Sequence, residues 1–505
     1  MRARILPLAV ATLLVAACAG TSAPGQSYAP DDPGHHLQTS PPWAGPAASA
    51  YPDVTYDDPG VNPYVDPDQD EVSTFGLDVD TASYTIAQRY VADGNRPDPA
   101  SIRVEEWVNA FDQGYRAPAD ATFAIIADGG PTPFTDEDEV LLRIGLQARD
   151  VRDRARDDAA LTFVIDTSGS MEREGRLELV KSALQVLVGE LERDDRVSIV
   201  TFGDAARIVL EPTAASRDGE ILDAITQLRP GGSTNLEAGL RLGYELARET
   251  LTENGIDRVV LLSDGVANVG LTDPDSILRA IRDDAAAGIE LVSIGVGMGN
   301  YNDVLLEQLA DQGDGFYAYV NALDEAERLF TEDLTGTLQS VALDARAQVQ
   351  FDREVVAAYR LVGYENRAID DGDFTDDNVA AGAIGAGHTV TALYALRLRA
   401  DAGPQSRLAT VNLRWTDPDR GTADSLTRDI RTSDLARSFA ATDPFFRFDA
   451  IVAATAEVLR GSPWTERLDL VTVADVADRE AHGLPETDEV HGFLELLGDL
   501  ADMDG

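Results

Sequence analysis

The residues best suited to chemistry lie in the run LTFVIDTSGSM, where Asp166, Ser168 and Ser170 follow five residues with the character of a buried strand. A D-x-S-x-S triplet sets one carboxylate and two hydroxyls on alternate residues of a tight turn, all able to face one point. Hard oxygen donors of this kind suit Mg²⁺, which takes octahedral oxygen coordination and keeps part of its water, with Mn²⁺ and Ca²⁺ as alternatives. Downstream, Thr234 in PGGSTN and Asp264 in RVVLLSDG add a third hydroxyl and a second carboxylate. In an open, mostly parallel sheet, ligands collect outside the carboxyl ends of the strands. LTFVI (161–165) and VVLLS (259–263) are short apolar runs of the sort a strand covered on both faces shows. Asp166 follows the first run and Asp264 the second, so both carboxylates are expected at one edge. Thr234 sits in a Gly-rich loop ahead of an amphipathic helix, where a hydroxyl can approach closely.

The surrounding periodicity matches that placement. Apolar residues at 177, 180, 184, 187, 188 and 191 form a helical stripe, RVSIVTF (196–202) is a strand, and RIVL (207–210) a short edge pairing. Helical patterns at 218–229, 237–250, 274–287 and 302–312 alternate with strand runs at 258–263, 290–296 and 316–320. The expected fold class is therefore α/β, a doubly wound and mostly parallel sheet. On either side, 121–127, 139–146, 341–353, 389–399 and 408–415 alternate apolar and polar residues, as strands with one buried face do. These strands are expected to form one β-sandwich-like region into which the α/β domain is inserted. Val72 to Val91, Ile102 to Phe111, Phe445 to Leu459 and the last residues of the chain read as helical.

Several enzyme signatures can be set aside. An aspartic protease needs Asp, Thr or Ser, and Gly in direct succession, whereas Ser168 intervenes before Gly169. Asp-x-Asp-x-Thr phosphatases need a second Asp where Ser168 stands, and Asp78-Val79-Asp80-Thr81 brings its Thr one place too early. GVGMGN (295–300) lacks the dinucleotide spacing and reads as a tight turn, and no Walker A run is present. DPDQDE (66–71) has neither Gly at its sixth place nor Glu at its twelfth, which excludes an EF-hand. This segment and DDGDFTDD (370–377) read as solvated loops. Among the five histidines, His35 and His36 lie in a polar stretch, His388 precedes a strand without a nucleophile motif nearby, and His482 and His491 lack ligand spacing. No acid–base machinery emerges from them.

The formal charge of the 505-residue chain is −48, from 41 basic and 89 acidic residues, and Lys181 is the sole lysine. Such a surface repels nucleic acid phosphates and acidic headgroups, so no nucleic acid partner is expected. Arg2 and Arg4 precede an apolar stretch, Ile5 to Ala17, too short to span a bilayer but right for a signal peptide. It ends in Val15-Ala16-Ala17-Cys18, which resembles a bacterial lipobox. The resemblance implies that Cys18, the only cysteine, is lipidated and that the mature protein is exported and tethered to the outer face of a membrane.

Together, Asp166, Ser168, Ser170, Thr234 and Asp264 resemble the metal-ion-dependent adhesion site of a von Willebrand factor type A (vWA) domain. That resemblance implies direct coordination by Ser168, Ser170 and Thr234, aspartates acting partly through water, and a sixth position left for a carboxylate of a protein partner. NPYVDPDQDEVSTFGLDVDTASY (62–84), VAAYRLVGYENRAI (356–369), IGAGHTVTALY (384–394) and DPFFRFDAIVAATAEVLRGSP (443–463) resemble the flanks of YfbK-like bacterial vWA lipoproteins. Ala383, where Glu is usual, and Val266-Ala267, where an acidic residue is common, depart from that family's pattern. The expected order is a signal peptide (1–17), a flexible stalk (18–60), an N-terminal helical region (61–118) and strands pairing with the C-terminal β region (119–150). The vWA domain (151–337), the sandwich-like region (338–432) and a C-terminal helical region (433–505) follow. The expected role is non-enzymatic: a lipid-anchored adhesion or assembly module binding an acidic side chain of a protein through Mg²⁺, with no small-molecule substrate. A metal-dependent hydrolase using Asp166 and Asp264, and a structural lipoprotein whose metal only holds loops together, stand as alternatives.

Overall fold

A computed structural model of the protein describes residues 56, 58–77, 81–135, 139–151, 157–251, 255–265, 277, 279, 289–297, 303–311, 313, 315, 317–320, 323–331, 339–376, 382–400, 402–418 and 420–504. Cys18, the signal peptide, nearly all of the stalk, most of the helical pattern at 274–287, and Val266-Ala267 lie outside the described residues. In chain order, the N-terminal part contributes β1 (Val72–Gly76), α1 (Ala82–Ala92), α2 (Val104–Asn109), β2 (Phe123–Gly130) and β3 (Glu139–Ala148). The central part contributes β4 (Ala159–Asp166), α3 (Arg176–Glu190), β5 (Arg196–Phe202), β6 (Arg207–Ala214), α4 (Asp218–Thr226), α5 (Leu236–Arg248) and β7 (Ile256–Ser263). It continues with β8 (Glu290–Val296), α6 (Asp303–Asp311), β9 (Tyr317–Val320) and α7 (Leu323–Thr331).

The central sheet runs β6-β5-β4-β7-β8-β9, parallel throughout except for the antiparallel edge strand β6. All eight residues of β4 are buried, because successive side chains leave a strand on opposite faces and helices cover both. Val164 joins Phe202, Leu240 and Tyr244 on one face; Phe163 and Ile165 join Leu177, Val180 and Leu184 on the other. Helix α5 sits close to the sheet through Gly239 and Gly243. A Cβ at Gly239 would lie 2.7 Å from the Phe202 ring, and one at Gly243 2.3 Å from a methyl of Val164. This close seating brings the loop before α5, with Thr234, to the carboxyl end of β4 and β5. The expected doubly wound α/β class is the fold observed.

After it come β10 (Ser340–Phe351), β11 (Val356–Val362), β12 (Ala383–Gly385), β13 (Thr389–Leu398), β14 (Arg407–Asp417), β15 (Thr422–Arg431), α8 (Pro444–Leu459), α9 (Leu470–Glu480) and α10 (Asp488–Asp504). One sheet runs β11-β13-β3-β2, the other β1-β10-β14-β15 with β12 on β10. Their facing sides share one core, in which Phe351 stacks on Tyr359 at 4.3 Å and Phe123 meets Trp415 at 5.0 Å. Strands before and after the α/β domain are direct neighbours: β3 pairs with β13 from Thr389↔Gln147 to Arg397↔Glu139. The other face of β3, β11 and β13 is covered by α2 and the C-terminal helices.

The expectation that the stretch from Val72 to Val91 is mainly helical is corrected at its start. VSTFG is a strand, paired antiparallel to β10 from Val72↔Gln350 to Gly76↔Arg346, and the helix begins at Ala82. The β-branched and aromatic residues of that run favour a pleated, half-buried surface, and Phe75 is fully buried against Tyr364. Two elements had no clear sequence signal. β15 is mostly polar and outward-facing, with Ile430 as its buried residue, and α9 follows a turn at Pro463–Thr465.

Candidate metal-binding site

Strands β4 and β7 pair in parallel with Ile165 opposite Leu262, so Asp166 and Asp264 leave the sheet side by side. Both are fully buried. Asp166 accepts the Ser168 N–H at 2.7 Å through Oδ1 and the Ser263 hydroxyl at 2.8 Å through Oδ2. Burial, and then the charge of Asp264, push its carboxyl up to about 6 despite those donors. A second carboxylate held close by, away from water, disfavours the ionised form of Asp166.

The turn between them is tied down by the backbone. Gly169 N–H donates to Gly232 O at 3.0 Å, Gly231 N–H to Thr167 O at 2.7 Å, and Thr167 N–H to Phe202 O at 2.8 Å. Gly231 and Gly232 take φ of 153° and 94°, open to glycine and strained for other residues. The Ser168 and Ser170 hydroxyls lie 2.9 Å apart. Thr234 is 2 % exposed, and its loop is fastened by those two Gly–loop bonds and by Asn235 N–H to Gly203 O at 3.1 Å. Asp166, Ser168, Ser170 and Asp264 thus belong to neighbouring strand ends, and the Thr234 loop is stitched to the same turn.

Two participants carried no sequence signal of their role. Ser263, the last residue of β7, donates to Asp166. Arg176, the first residue of α3, donates to Asp264 Oδ2 at 2.8 Å with both side chains at most 2 % exposed. The guanidinium has room because residue 297 is glycine: at φ +74°, a Cβ there would lie 2.5 Å from Arg176 Nε. Gly295 and Val296 of GVGMGN close β8 and Gly297 accommodates the arginine, while the rest of the segment lies outside the described residues. Asp264 Oδ1 remains buried without a hydrogen-bond partner, an arrangement that costs about 1–3 kcal/mol or more for a charged group.

These donors fit a hard divalent cation. Oxygens of two carboxylates and neighbouring hydroxyls meet at one rim, one carboxylate oxygen is orphaned, and the like charges are only half offset by Arg176. No cluster of three or more His, Cys, Asp or Glu with metal-holding geometry occurs among the described residues, so an ion here would depend on the hydroxyls. No helix among the described residues is long and apolar enough to cross a membrane.

Three family models match the chain: "von Willebrand factor type A domain" at residues 160–332, "Uncharacterized protein YfbK, C-terminal" at 336–503, and "von Willebrand factor" at 51–143. The protein described as "Uncharacterized protein YfbK" of Escherichia coli (strain K12) is 35 % identical over 446 residues, covering 83 % of this chain and 76 % of that one. Inter-alpha-trypsin inhibitor heavy chain H3 of Bos taurus is 28 % identical over 214 residues, 41 % of this chain and 22 % of its own. Among solved structures, a von Willebrand factor type A protein from Catenulispora acidiphila aligns with a TM-score of 0.44 at 17 % identity, over 74 % of this chain and 89 % of that one. Domains of the vWA type commonly mediate adhesion or protein–protein interaction and are generally non-enzymatic.

Proposed function

The chain belongs to the YfbK family of von Willebrand factor type A proteins, and on that premise we propose that it is a membrane-tethered adhesion or assembly module whose Mg²⁺ site engages an acidic side chain of a protein partner. The observation that supports this reading is the buried meeting of Asp166 and Asp264 with one carboxylate oxygen unpartnered, beside the Ser168–Ser170 hydroxyl pair. Asp166, Ser168, Ser170, Thr234 and Asp264 would hold the ion, which when bound supplies a Lewis-acidic contact for an incoming carboxylate. Ser263 and the Ser168 N–H fix the Asp166 carboxylate, and Arg176 fixes Asp264. Counting Arg176, the protein contributes one net negative charge, so a divalent ion leaves a net positive rim. In a setting of effective dielectric near 20, a unit charge about 4 Å away is worth about 4 kcal/mol of attraction for an acid. The overall charge of −48 makes such a local positive spot selective, since anions are repelled elsewhere.

The tether belongs to the same proposal. Lipidated Cys18, with each buried CH₂ contributing about 0.8 kcal/mol, would hold the protein on the outer face of a membrane, and the stalk to residue 60 would give the site reach.

The test combines calorimetry with cross-linking. Mg²⁺ or Mn²⁺ should bind the full chain, and Asp166→Ala should abolish uptake. On intact cells, cross-links to a partner should disappear with EDTA and in Ser168→Ala. Metal-dependent turnover across a broad substrate panel, lost in Asp166→Ala, would instead establish a hydrolase. Chelation that lowers the melting temperature without changing any association would establish a structural ion.

A further inference from the structure

A cavity of about 510 Å³ lies outside the α/β domain, where α8 and the Pro463–Thr465 turn meet the outer face of β3, β11 and β13. Its volume falls within the range of small-molecule sites, about 300–1,000 Å³, which favour junctions between packed units. The space exists because the adjoining surfaces carry small side chains: Ala450, Ala453 and Ala454 from α8 face Ala395 from β13. Well-packed interiors leave few voids larger than a water, so an unfilled space walled by alanines is a feature to account for.

The buried polar lining centres on Arg360. Arg360 is 5 % exposed, and its guanidinium lies 5.8 Å from the ring centres of both Tyr64 and Trp464, which meet edge to face at 4.9 Å. Arg397 sits 4.3 Å from the Tyr64 centroid. Arg360 Nη2 donates to Glu457 at 3.1 Å, while its Nε and Nη1 are buried without acceptors. Two of the three acids of the lining are already engaged: Glu457 also accepts from Ser462 and Arg460, and Glu139 accepts from Arg397, while Glu466 is exposed to solvent. In the buried part of the lining, what is left unsatisfied is the donor capacity of Arg360, next to two aromatic faces and an apolar floor.

We propose that this cavity is a binding site for a small monocarboxylate with an aromatic or apolar body, its carboxylate set against Arg360 and its body lodged between the Tyr64–Trp464 pair and the alanines of α8. Donors of a buried guanidinium favour an anionic acceptor and reject the isosteric amide or amine, because a charged hydrogen-bonding partner is lost. Trp464, 41 % exposed, forms the rim and is the side chain that must adjust on entry. The site is separate from the one holding Asp166 and Asp264, and occupancy is independent of divalent metal.

Titration of the full chain with phenylacetate, indole-3-acetate and octanoate, in EDTA, tests this by calorimetry and, for the two non-indole ligands, by tryptophan fluorescence. Saturable binding is expected for at least one of them, with phenylacetamide and phenethylamine at least tenfold weaker. Ala453→Leu fills the floor without touching Arg360 and should weaken binding at least tenfold while the melting temperature is retained. Arg360→Gln should remove the preference for acid over amide. Binding by none of the three carboxylates at millimolar concentration, or equal binding to wild type and a folded Ala453→Leu, would overturn the assignment. Tighter binding of phenethylamine than of phenylacetate would overturn it too.

Discussion

Arg176 brings a buried cation to the candidate metal site. It occupies the first position of α3, where a cation meets the positive end of the helix dipole and is disfavoured. The buried ion pair with Asp264 offsets that cost. Replacing it with Gln should leave two facing carboxylates without their counter-ion. On the proposed function, Arg176→Gln then binds Mg²⁺ more tightly, by about tenfold or about 1.4 kcal/mol, and binds the partner's acidic group more weakly. Isothermal titration with Mg²⁺ reads the first effect directly. Metal affinity lost in a folded variant would mean that Arg176 serves instead to aim Asp264. Gly297→Ala tests the same nest from the other side: the left-handed φ costs about 1–2 kcal/mol for a non-glycine residue, and the methyl meets Arg176 Nε. Urea unfolding should show at least that loss, and Arg176→Ala should relieve its steric part. Asp166, Ser168, Ser170 and Asp264 could be picked out because they follow strand ends that periodicity exposes, and Thr234 because it stands in the Gly-rich loop ahead of α5. Arg176 and Ser263 could not be, since an arginine at a helix start and a serine closing a strand fit many contexts, and only the pairing of β7 with β4 and its approach to α3 give them partners.

Elements differ in how clearly the chain announces them. The strands of the α/β sheet are continuous apolar runs and were readable, whereas β1 was hidden because its five residues adjoin a true amphipathic helix and contribute only an edge strand. Its weight comes from Phe75, buried between Tyr364 at 4.8 Å and Tyr394 at 6.5 Å. Phe75→Ala should cost about 3–5 kcal/mol through lost burial and the cavity left behind, read as a lower denaturation midpoint. Helix α8 adds buried charges to its apolar packing. Asp449 receives Arg143 at 2.9 Å, and two turns later Glu457 receives Arg360 and Ser462, at 3.1 and 2.8 Å, with Arg460 on its other oxygen. Burial alone would push the Glu457 carboxyl up, yet Arg360 and Arg460 hold it below the ordinary glutamate range. A depressed folded value means that its stabilisation is complete above the unfolded pKa, about 4.3, and is lost as pH falls further toward the folded value. Glu457→Gln should therefore be destabilised at pH 7 by about 3–5 kcal/mol, as buried guanidinium groups lose their partner. The difference from wild type should shrink as pH drops below about 4. Unfolding free energies at pH 7 and pH 3.5 check both parts, and a difference that grows with acid would contradict the sign.

On the scale of the molecule, the α/β domain is entered from and left into the same sandwich, through β3 and β10, and α1 joins its core to the rest. Ala82, Ile86 and Tyr90, spaced by four, belong to the core beneath the central sheet, while Tyr84, Ala87 and Val91 belong to the helical layer built on α8 to α10. Residues four apart share one helix face, and a shift of five turns about 140° away, so one helix is buried on two sides in two cores. Arg89 on α1 also approaches Glu174, in the loop that leads from Ser170 into α3, at 3.9 Å. An element shared in this way couples the stability of its neighbours, because neither core can open without exposing a face of α1. Wild-type protein should accordingly melt in one calorimetric transition. If the metal reading holds, saturating Mg²⁺ should raise that whole transition, by about 2.7 kcal/mol at a hundredfold excess over Kd. Ile86→Asp places a charge in the α/β core and leaves the opposite face of α1 intact. It should split the transition in two, with Mg²⁺ then raising only the α/β part while the sandwich and its helices melt at an unchanged temperature. A variant that still melts as one unit, with Mg²⁺ shifting all of it, would place the coupling in the β3 and β10 connections instead of in α1.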